Sequence, residues 1–461
     1  MARIVVLGAG VCGLAAALML RRDGHDVTVL ERDTAPVPAS NEDAWERWAR
    51  AGVTQFQQAH FLQPLGRMVL EDELPDVRDA LLAAGAVRFD PLRLMPPWIA
   101  DRRPRPGDER FATITARRPV IEHALARVAQ EEVDVRRGVE VERLVSNGVP
   151  RIAGVRTTGG ENLTADLVVD AMGRRSRLPR WLADAGAHVH EESEDFGFLY
   201  YTRFFRGERP RMLGPLLMAI GTVSLLTLPG DGDTWSVTVL GAAGDQPLKR
   251  LRKVDAWTAV VRACPLQAHW LEGEPITDVV GMGGIVDRYR RLVPGSRPAA
   301  TGVALLADAC ACTNPSLGRG ISLGLAHAAL LRAVVREHGD EPARLADAFD
   351  EATERELTPW YRATVAFDRA RLAEIDAIRN GAEPPAPAPD DVAAQVRAAL
   401  PLAMSRDAEV FRAGMEISSC LALPQEVFAR PGLARRVLEA AGGEVARLPA
   451  PTRAQVLELV A

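Results

Sequence analysis

The chain has 461 residues, of which 47% are hydrophobic and 25% charged, a composition typical of soluble globular proteins with two or three domains. The net charge of −5 provides no broad basic surface and therefore disfavours nucleic acid as a partner. The five cysteines are few, odd in number and scattered, which predicts a cytoplasmic, reducing setting without a disulfide framework.

The N-terminal segment is apolar: residues 4–20 carry no charge. A signal peptide or a membrane helix would have a similar composition. This segment is short for a membrane span, however, and it contains three glycines at fixed spacing. We therefore predict a buried part of the fold and no membrane span.

The same segment and its continuation predict a strand over 4–7, a tight turn, a helix to about Arg22 and a second strand that ends at Glu31. Gly8, Gly10 and Gly13 form G-x-G-x-x-G at the turn. In such a motif the first glycine permits the turn, the second admits a pyrophosphate, and the third lets the helix pack closely. Glu31 follows Gly13 by 18 residues, where a carboxylate can bind ribose hydroxyls. The unit predicts binding of FAD or NAD rather than NADP.

The rest of the chain shows a change from mixed to β-rich to helical patterns. The predicted elements, in chain order, are an irregular segment over 34–65, a helix over 66–84 broken near Pro75, a surface excursion over 91–112, an amphipathic helix over 117–133, short β-runs over 134–173, a β-rich segment over 183–292 with one helix near 255–264, and a mainly helical region from about 325 that is interrupted at 381–391.

Two short patterns resemble metal sites but do not have metal-binding spacing. Cys310 and Cys312 form C-x-C with no second Cys or His pair nearby, and we interpret them as packing residues. The stretch HVHEE, residues 188–192, is interpreted as a solvated loop. We predict no metal site.

The stretch ADACACTNPSLGRGISLG, residues 307–324, lies between a predicted buried strand and a predicted helix. By itself it could be a glycine-rich helix cap without a ligand. Together with the first motif, it indicates a second contact region for the same nucleotide.

Three separated motifs make the chain resemble the FAD-dependent monooxygenases of the aromatic-hydroxylase and squalene-epoxidase-like class, which includes bacterial natural-product hydroxylases and epoxidases. The first is the glycine motif with Glu31. The second is DLVVDAMGRRSRLPR, similar to the family's D-[AG]-x-G-x-x-S-x-x-R segment on Asp170, Gly173, Ser176 and Arg180, although neighbouring arginines leave the last position open. The third is residues 307–324, similar to G-D-A…N-P-x-x-G-x-G, with Ala307 where the family usually has Gly.

The resemblance implies a set of FAD-binding positions. Asp308 would bind a ribityl hydroxyl, the glycines from Gly318 would approach the flavin ring, and Arg118, in a segment similar to the family's R-P-x-[LI]-E helix, would lie near the ribityl and phosphate region. His60 would be a candidate catalytic residue that positions substrate or donates a proton. The full set of cofactor positions is Gly8, Ala9, Gly10, Val11, Cys12, Gly13, Glu31, Arg32, Arg118, Val141, Asp170, Gly173, Asp308, Pro315, Gly318, Gly320 and Ile321.

The implied fold class is α/β: a Rossmann-like FAD-binding domain of the glutathione-reductase type, as in p-hydroxybenzoate hydroxylase, with a β-sheet substrate domain and a helical C-terminal region. The expected division is 1–182 and 283–345 for the FAD-binding domain, 183–282 for the substrate domain and 346–461 for the helical region. The helical region could cap the cavity, bind a membrane surface or form a dimer face, and we expect a monomer or a homodimer.

The implied reaction is insertion of one oxygen atom from O2 into a hydrophobic small molecule, by hydroxylation or epoxidation, through a flavin C4a-hydroperoxide. NADPH or NADH would be a transient electron donor, since no second nucleotide motif is present.

Two alternatives use the same scaffold. One is a dehydrogenase or reductase of the geranylgeranyl-reductase kind. The other is a flavin-dependent halogenase, although the W-x-W-x-I-P signature is absent and both lysines, Lys249 and Lys253, lie in one charged run.

Overall fold

A computed structural model describes residues 1–146, 151–295, 297–444 and 449–461. The strands are β1 Arg3–Leu7, β2 Asp26–Glu31, β3 Val87–Phe89, β4 Thr113–Thr115, β5 Asp134–Arg137, β6 Val141–Ser146, β7 Ile152–Thr157, β8 Asn162–Thr164, β9 Leu167–Asp170, β10 His190–Glu194, β11 Phe198–Arg206, β12 Leu217–Ile220, β13 Val223–Pro229, β14 Thr234–Ala242, β15 Glu274–Pro275, β16 Val280–Met282, β17 Asp287–Arg291, β18 Val303–Leu305 and β19 Ala311–Cys312. The helices are α1 Val11–Arg22, α2 Asn41–Glu46, α3 Pro64–Glu73, α4 Pro75–Ala83, α5 Arg118–Glu132, α6 Leu178–Asp184, α7 Val254–Arg262, α8 Gly320–His338, α9 Pro342–Glu356, α10 Thr358–Arg379, α11 Val392–Met404, α12 Ala408–Ser418, α13 Pro424–Phe428, α14 Leu433–Ala441 and α15 Arg453–Val460.

A five-stranded parallel sheet in the order β18-β9-β1-β2-β5 is the centre of the fold. Both of its faces are covered, so β1 is apolar at four consecutive positions rather than at alternate ones. Ile4 and Val6 pack with α1, α5 and α8, whereas Val5 and Leu7 face the antiparallel β6–β7–β8 sheet and α6. Because parallel strands end at a common edge, their carboxyl-terminal loops meet there.

A second, antiparallel sheet has the order β12-β13-β14-β11-β15, with β16 also beside β11. Helices α7 and α15 pack together on the core of this sheet, which contains the fully buried Trp235 and Trp257. The indole N–H of Trp257 donates to the carbonyl of Tyr201 at 2.8 Å. Val456 and Val460 of α15 belong to this core, so the C-terminal helix is part of it.

A buried ion pair joins the antiparallel sheet to the start of α5. Arg117, which precedes α5, donates through its backbone N–H and its guanidinium to Asp231 in the β13–β14 turn, at 2.7–3.2 Å. Each side chain is almost fully buried. The ring of Trp45 in α2 lies 4.5 Å from the guanidinium carbon of Arg117, and Glu42 adds a half-exposed carboxylate at 3.5 Å. The charge of Arg117 is therefore compensated almost entirely by Asp231.

The helices from α9 to α14 form two groups. Helices α9 and α10 continue the packing of α8, whereas α11–α14 have a small core of their own. The 91–112 excursion packs against this second group: Asp108 pairs with Arg412 at 2.8 Å, and the indole N–H of Trp98 donates to the carbonyl of Ser405 at 2.7 Å. The excursion is thus held by helices that lie some 300 residues later in the chain.

Three local predictions need correction. The segment 34–65 contains helix α2, which the side chain of Ser40 caps. HVHEE is not a loop, because His190–Glu194 forms β10 and pairs with β17. The last flavin-type motif leads into a helix that begins at Gly320, before the expected residue 325.

The fold class predicted from the sequence is confirmed: a parallel α/β sheet, a separate β-sheet and a helical C-terminal region are all present. The four-part domain division remains a prediction. Among the described residues, no helix has the length and apolarity needed to cross a membrane.

Candidate cofactor-binding cleft

One cleft lies along the carboxyl edge of the parallel sheet and extends to the antiparallel sheet. It brings together segments from the first, second and third motifs, although these are more than 100 residues apart. The predicted residues that line it are Gly8, Gly10, Val11, Cys12, Glu31, Arg32, His60, Arg118, Val141, Gly173, Asp308, Pro315, Gly318, Gly320 and Ile321. The structure places Ala9, Gly13 and Asp170 just behind the wall.

The β1–α1 turn needs each of its three glycines for a different reason. Gly8 has φ +103°, in the region that favours glycine. A Cβ on Gly13 would lie 2.1 Å from the carbonyl oxygen of Gly8, so any side chain there would separate helix from strand. A Cβ on Gly10 would meet no protein atom within 4 Å and would instead enter the cleft. The space beside Gly10 is therefore open at the N-terminus of α1, where backbone N–H groups attract anions.

Glu31 is buried at the end of β2 and is held by three donors. Its carboxylate accepts the backbone N–H groups of Ala9 and Asp33, each at 3.0 Å. It also pairs with the buried guanidinium of Arg50 at 3.0 Å. Sequence reasoning did not find Arg50, which lies in an irregular segment without a motif.

Arg50 connects the two halves of a buried charge network. It pairs with Asp33 at 3.2 Å and approaches Glu122 of α5 at 3.0 Å. Burial lowers the pKa of Arg50, but the charges of Glu122, Glu31 and Asp33 outweigh burial and raise it. Glu122 also accepts from Arg118 at 2.7 Å. Charged side chains therefore run without interruption from Glu31 to Arg118 along the cleft.

His60 lies in the cleft wall beside Arg118. Its Nε2 is 2.9 Å from the Arg118 guanidinium and its Nδ1 is 2.9 Å from the carbonyl of Gln58. Burial and the charge of Arg118 lower the pKa of His60 to about 3. Because the guanidinium can only donate, Nε2 is the acceptor, and the Nδ1–H donates to Gln58. In this arrangement His60 is neutral and both nitrogens are engaged, which favours positioning over proton donation.

Asp308 follows β18 and faces the cleft. Burial raises the pKa of its carboxyl, opposed by the charges of Arg118 and Arg174. No side-chain or backbone donor in the described parts of the chain bonds to this carboxylate. Gly173 and Gly320 are its neighbours in the cleft, since a Cβ on either would be in van der Waals contact with Asp308 at 3.9 Å. A half-buried acceptor that faces an open cleft without a protein donor fits a ligand hydroxyl.

Ala307, immediately before Asp308, has φ +52°. This left-handed backbone costs a non-glycine residue about 1–2 kcal/mol. The position is the one where the sequence has Ala in place of the family's usual Gly. Its backbone N–H donates to Nδ1 of His327, in α8, at 3.1 Å.

His327 is fully buried, and burial lowers its pKa to about 3. A neutral native histidine binds its proton only on unfolding, so its contribution is complete above the unfolded pKa of about 6.5 and is lost as the pH falls toward 3. Between pH 7 and pH 5 this loss amounts to about 2 kcal/mol in the free energy of unfolding. We expect His327→Asn to reduce the pH dependence by that amount in urea unfolding at the two pH values.

The exposed His188 provides the matched control, since His188→Asn should leave the pH dependence of unfolding unchanged. A His327→Asn variant as acid-sensitive as the parent would contradict a neutral native His327.

The far end of the cleft is apolar. The antiparallel sheet and the following loop supply Leu226, Leu228, Met282 and Ile285, and Phe61 closes the side next to His60. Gln58 ties the 55–60 loop to this sheet, accepting from Thr202 at 2.8 Å and donating to the carbonyl of Val280 at 3.2 Å. This end can hold an apolar molecule next to the position of the last motif. No residue of α11–α15 lines the described cleft.

One part of the second motif lines the cleft, and the other part is buried behind the cleft wall. Asp170 is fully buried, accepts the Met172 N–H at 3.0 Å and bonds the Ser176 hydroxyl, and burial raises its pKa to about 6. Arg180, the match to the last position of the family segment, is exposed and lies outside the cleft. The arginines of this motif that line the cleft are Arg174, Arg175 and Arg177.

The cysteines near the cleft are protonated packing residues. Burial raises the pKa of Cys12 to about 12 and raises that of Cys310 and Cys312 as well. A Cβ on Gly324 would lie 2.3 Å from the Cys12 sulfur, so α8 packs closely on α1 at this point. Among the residues that the structure describes, no His, Cys, Asp and Glu side chains cluster as a metal site would require.

These features fit FAD. The open space at Gly10 suits a pyrophosphate, and the unpartnered carboxylate of Asp308 suits a ribityl hydroxyl. Gly318 and Gly320 line the cleft without side chains, so a flat ring could lie directly against their backbone. Glu31 lies at the opposite end of the cleft, next to Arg32, where an adenosine ribose would lie.

Comparison with known proteins supports the same class. Residues 3–41 match the family described as FAD dependent oxidoreductase. Protein Rv3254 of Mycobacterium tuberculosis (strain ATCC 25618 / H37Rv) is 26% identical over 352 residues, covering 72% of each chain. The FAD-dependent monooxygenase nsrK of Aspergillus novofumigatus (strain IBT 16806) is 28% identical over 196 residues, covering 40% of this chain and 36% of that protein.

Solved structures share the fold. The structure of pqsL, described as a probable FAD-dependent monooxygenase from Pseudomonas aeruginosa, has a TM-score of 0.60 at 18% identity, covering 82% of this chain and 98% of that one. The flavin-dependent brominase Bmp2 has a TM-score of 0.61 at 15% identity, covering 95% and 98%. At these identities the likeness concerns the fold alone.

Fold, cleft and the match over residues 3–41 all resemble those of FAD-dependent oxidoreductases. The chain shares its fold with a solved structure described as a probable FAD-dependent monooxygenase, in agreement with the resemblance seen in the sequence.

Proposed function

We propose that this protein is an FAD-dependent monooxygenase that inserts one oxygen atom from O2 into a hydrophobic small molecule, by hydroxylation or epoxidation, with NADPH or NADH as a transient electron donor. The observation that carries the proposal is the continuity of one cleft. A nucleotide-type turn at Gly10 is followed by the unpartnered Asp308 and then by an aliphatic chamber formed by the antiparallel sheet.

The residues that would hold FAD are distributed along the cleft. Glu31 and Arg32 would bind the adenosine end, the backbone around Gly10 the pyrophosphate, and Asp308 the ribityl chain. The group they hold would supply the redox chemistry, namely electron transfer from the donor to oxygen. Gly320 and Ile321 at the start of α8 line the cleft, and the backbone N–H groups there would favour negative charge on a bound ring.

The protein's own groups would exclude water and fix orientation. The apolar wall of the cleft consists of Leu226, Leu228, Met282 and Ile285. A hydrophobic substrate that binds against this wall would displace water from it. His60 stays neutral and, with Glu122, holds Arg118 in place. No titrating acid or base at the substrate end is required, which agrees with chemistry supplied by the cofactor.

Of the two alternatives, the halogenase has less support from the cleft. That reading needs a catalytic lysine near the flavin, as the resemblance to halogenases implies. Lys249 and Lys253 are the two lysines of the chain, and both are exposed and outside the cleft. The dehydrogenase alternative uses the same cleft and differs only in how the reduced cofactor is reoxidised.

The test is anaerobic reduction of the FAD-loaded protein by NADPH and by NADH, followed by mixing with oxygen while the flavin absorbance is recorded. We expect bleaching by at least one donor and fast recovery with oxygen. In the absence of substrate, the consumed O2 should appear as hydrogen peroxide, and a substrate that is oxygenated should lower the peroxide yield.

Two other outcomes would count against the proposal. No bleaching by either donor, with recovery after chemical reduction, would contradict a self-contained monooxygenase and indicate a separate reductase. Stable reduced flavin in the presence of oxygen would favour the dehydrogenase alternative.

A further inference from the structure

The turn that presents Asp308 to the cleft has an unfavourable backbone. Ala307 has φ +52°, and only two other non-glycine residues in the described ranges, Asp233 and Cys420, share a positive φ. Ala307 is buried and has no side-chain polar group that could stabilise this conformation. Its N–H finds no backbone acceptor, so within the fold it depends on a side chain.

That side chain is His327 of α8, which is fully buried and does not line the cleft. Nδ1 accepts the Ala307 N–H at 3.1 Å, and Nε2 lies 3.0 Å from the hydroxyl of Thr353. The Thr353 hydroxyl itself donates to the carbonyl of Phe349 at 2.7 Å, so it accepts from the imidazole Nε2–H. The ring also stacks on Phe349, with centroids 4.8 Å apart. These contacts fix both the tautomer and the plane of His327.

We propose that His327 is a positioning residue for the cofactor: by accepting the Ala307 N–H it holds the left-handed turn that aims the Asp308 carboxylate into the cleft. The inference rests on the proposed binding of FAD by Asp308. His327 itself does not line the cleft, and it acts only through the backbone. Where the related motif has glycine, the turn is free of strain, so the histidine contact compensates for the alanine of this chain.

The experiment measures the dissociation constant of FAD by fluorescence titration of the apoprotein. His327→Leu removes the acceptor and leaves a buried N–H unsatisfied, so FAD should bind about tenfold more weakly. His327→Asn offers a carbonyl oxygen near the position of Nδ1 and should restore affinity to within about threefold of the parent. In an Ala307→Gly background, where the turn carries no strain, His327→Leu should have a clearly smaller effect.

A stability control separates positioning from general loosening. Val437 is fully buried in the separate core of α11–α14, so Val437→Ala should lower stability and leave FAD affinity unchanged. If His327→Leu does not fold, Thr353→Val is used instead. It removes the acceptor of the Nε2–H, and its effect on FAD affinity should be weaker but in the same direction.

Three results would overturn the inference. One is a folded His327→Leu variant with unchanged FAD affinity, another is an equal loss of affinity in Val437→Ala, and the third is failure of His327→Asn to restore binding. An unaltered protein that binds no FAD would instead contradict the proposed function, and the inference would fail with it.

Discussion

Gly10→Ala is expected to weaken FAD binding by about a hundredfold while the apoprotein keeps its stability. The new methyl group would meet no protein atom within 4 Å, so the fold has room for it. It would enter the space where a pyrophosphate must approach the N-terminal N–H groups of α1, and it would prevent the close contact that those groups require. Fluorescence titration with FAD and thermal unfolding of the apoprotein measure the two effects separately.

Gly295 provides the matched control, because a Cβ there also meets nothing within 4 Å and the residue lies outside the cleft. Gly295→Ala should leave FAD affinity unchanged. A Gly10→Ala variant that binds FAD as tightly as the parent would mean that the pyrophosphate does not lie at this turn.

Asp231→Ala is expected to lower the free energy of unfolding by about 3–5 kcal/mol, because it leaves the buried guanidinium of Arg117 without its main counter-charge. The half-exposed Glu42, at 3.5 Å, compensates only in part. The pair joins the β13–β14 turn of the antiparallel sheet to the start of α5, so its loss should also loosen the contact between that sheet and the helix. Urea unfolding measures the change in stability.

The control for this variant lies two residues away in the same turn. Asp233 is exposed and has φ +56°, which asparagine tolerates, so Asp233→Asn should change stability by less than about 0.5 kcal/mol. Equal effects of the two substitutions would show that the turn itself, rather than the ion pair, determines stability. The 3–5 kcal/mol loss is a large part of the total stability of an ordinary domain.

The charge network of the cleft has a functional consequence if FAD binds as proposed. Glu31 and Arg118 lie at opposite ends of the pairs formed by Arg50 and Glu122. Burial and the charge of Arg118 lower the pKa of His60, so this imidazole stays neutral over the physiological range. The redox chemistry would then depend on the cofactor and not on a titrating side chain of His60.

The sequence by itself determined the local units of this protein. Three local units were predicted: helix α5, the break between α3 and α4 at Pro75, and the strand–turn–helix unit at Gly8–Gly13. They could be predicted because hydrophobic periodicity, proline and glycine determine backbone conformation within a few residues. The sequence also determined which residues would be candidates for the cofactor site, since Glu31 and Asp308 belong to motifs that can be identified from residue spacing alone.

Only the tertiary structure decided which distant groups meet. Arg50 lies in an irregular segment and Asp231 in an ordinary turn, and no local pattern distinguishes them. His327 stands among small and apolar residues of α8, and its contact with Ala307 depends on how that helix packs against the end of β18. The physical reason is common to all three: burial pairs polar groups that are far apart in the chain, and the choice of partner is set by packing rather than by sequence spacing.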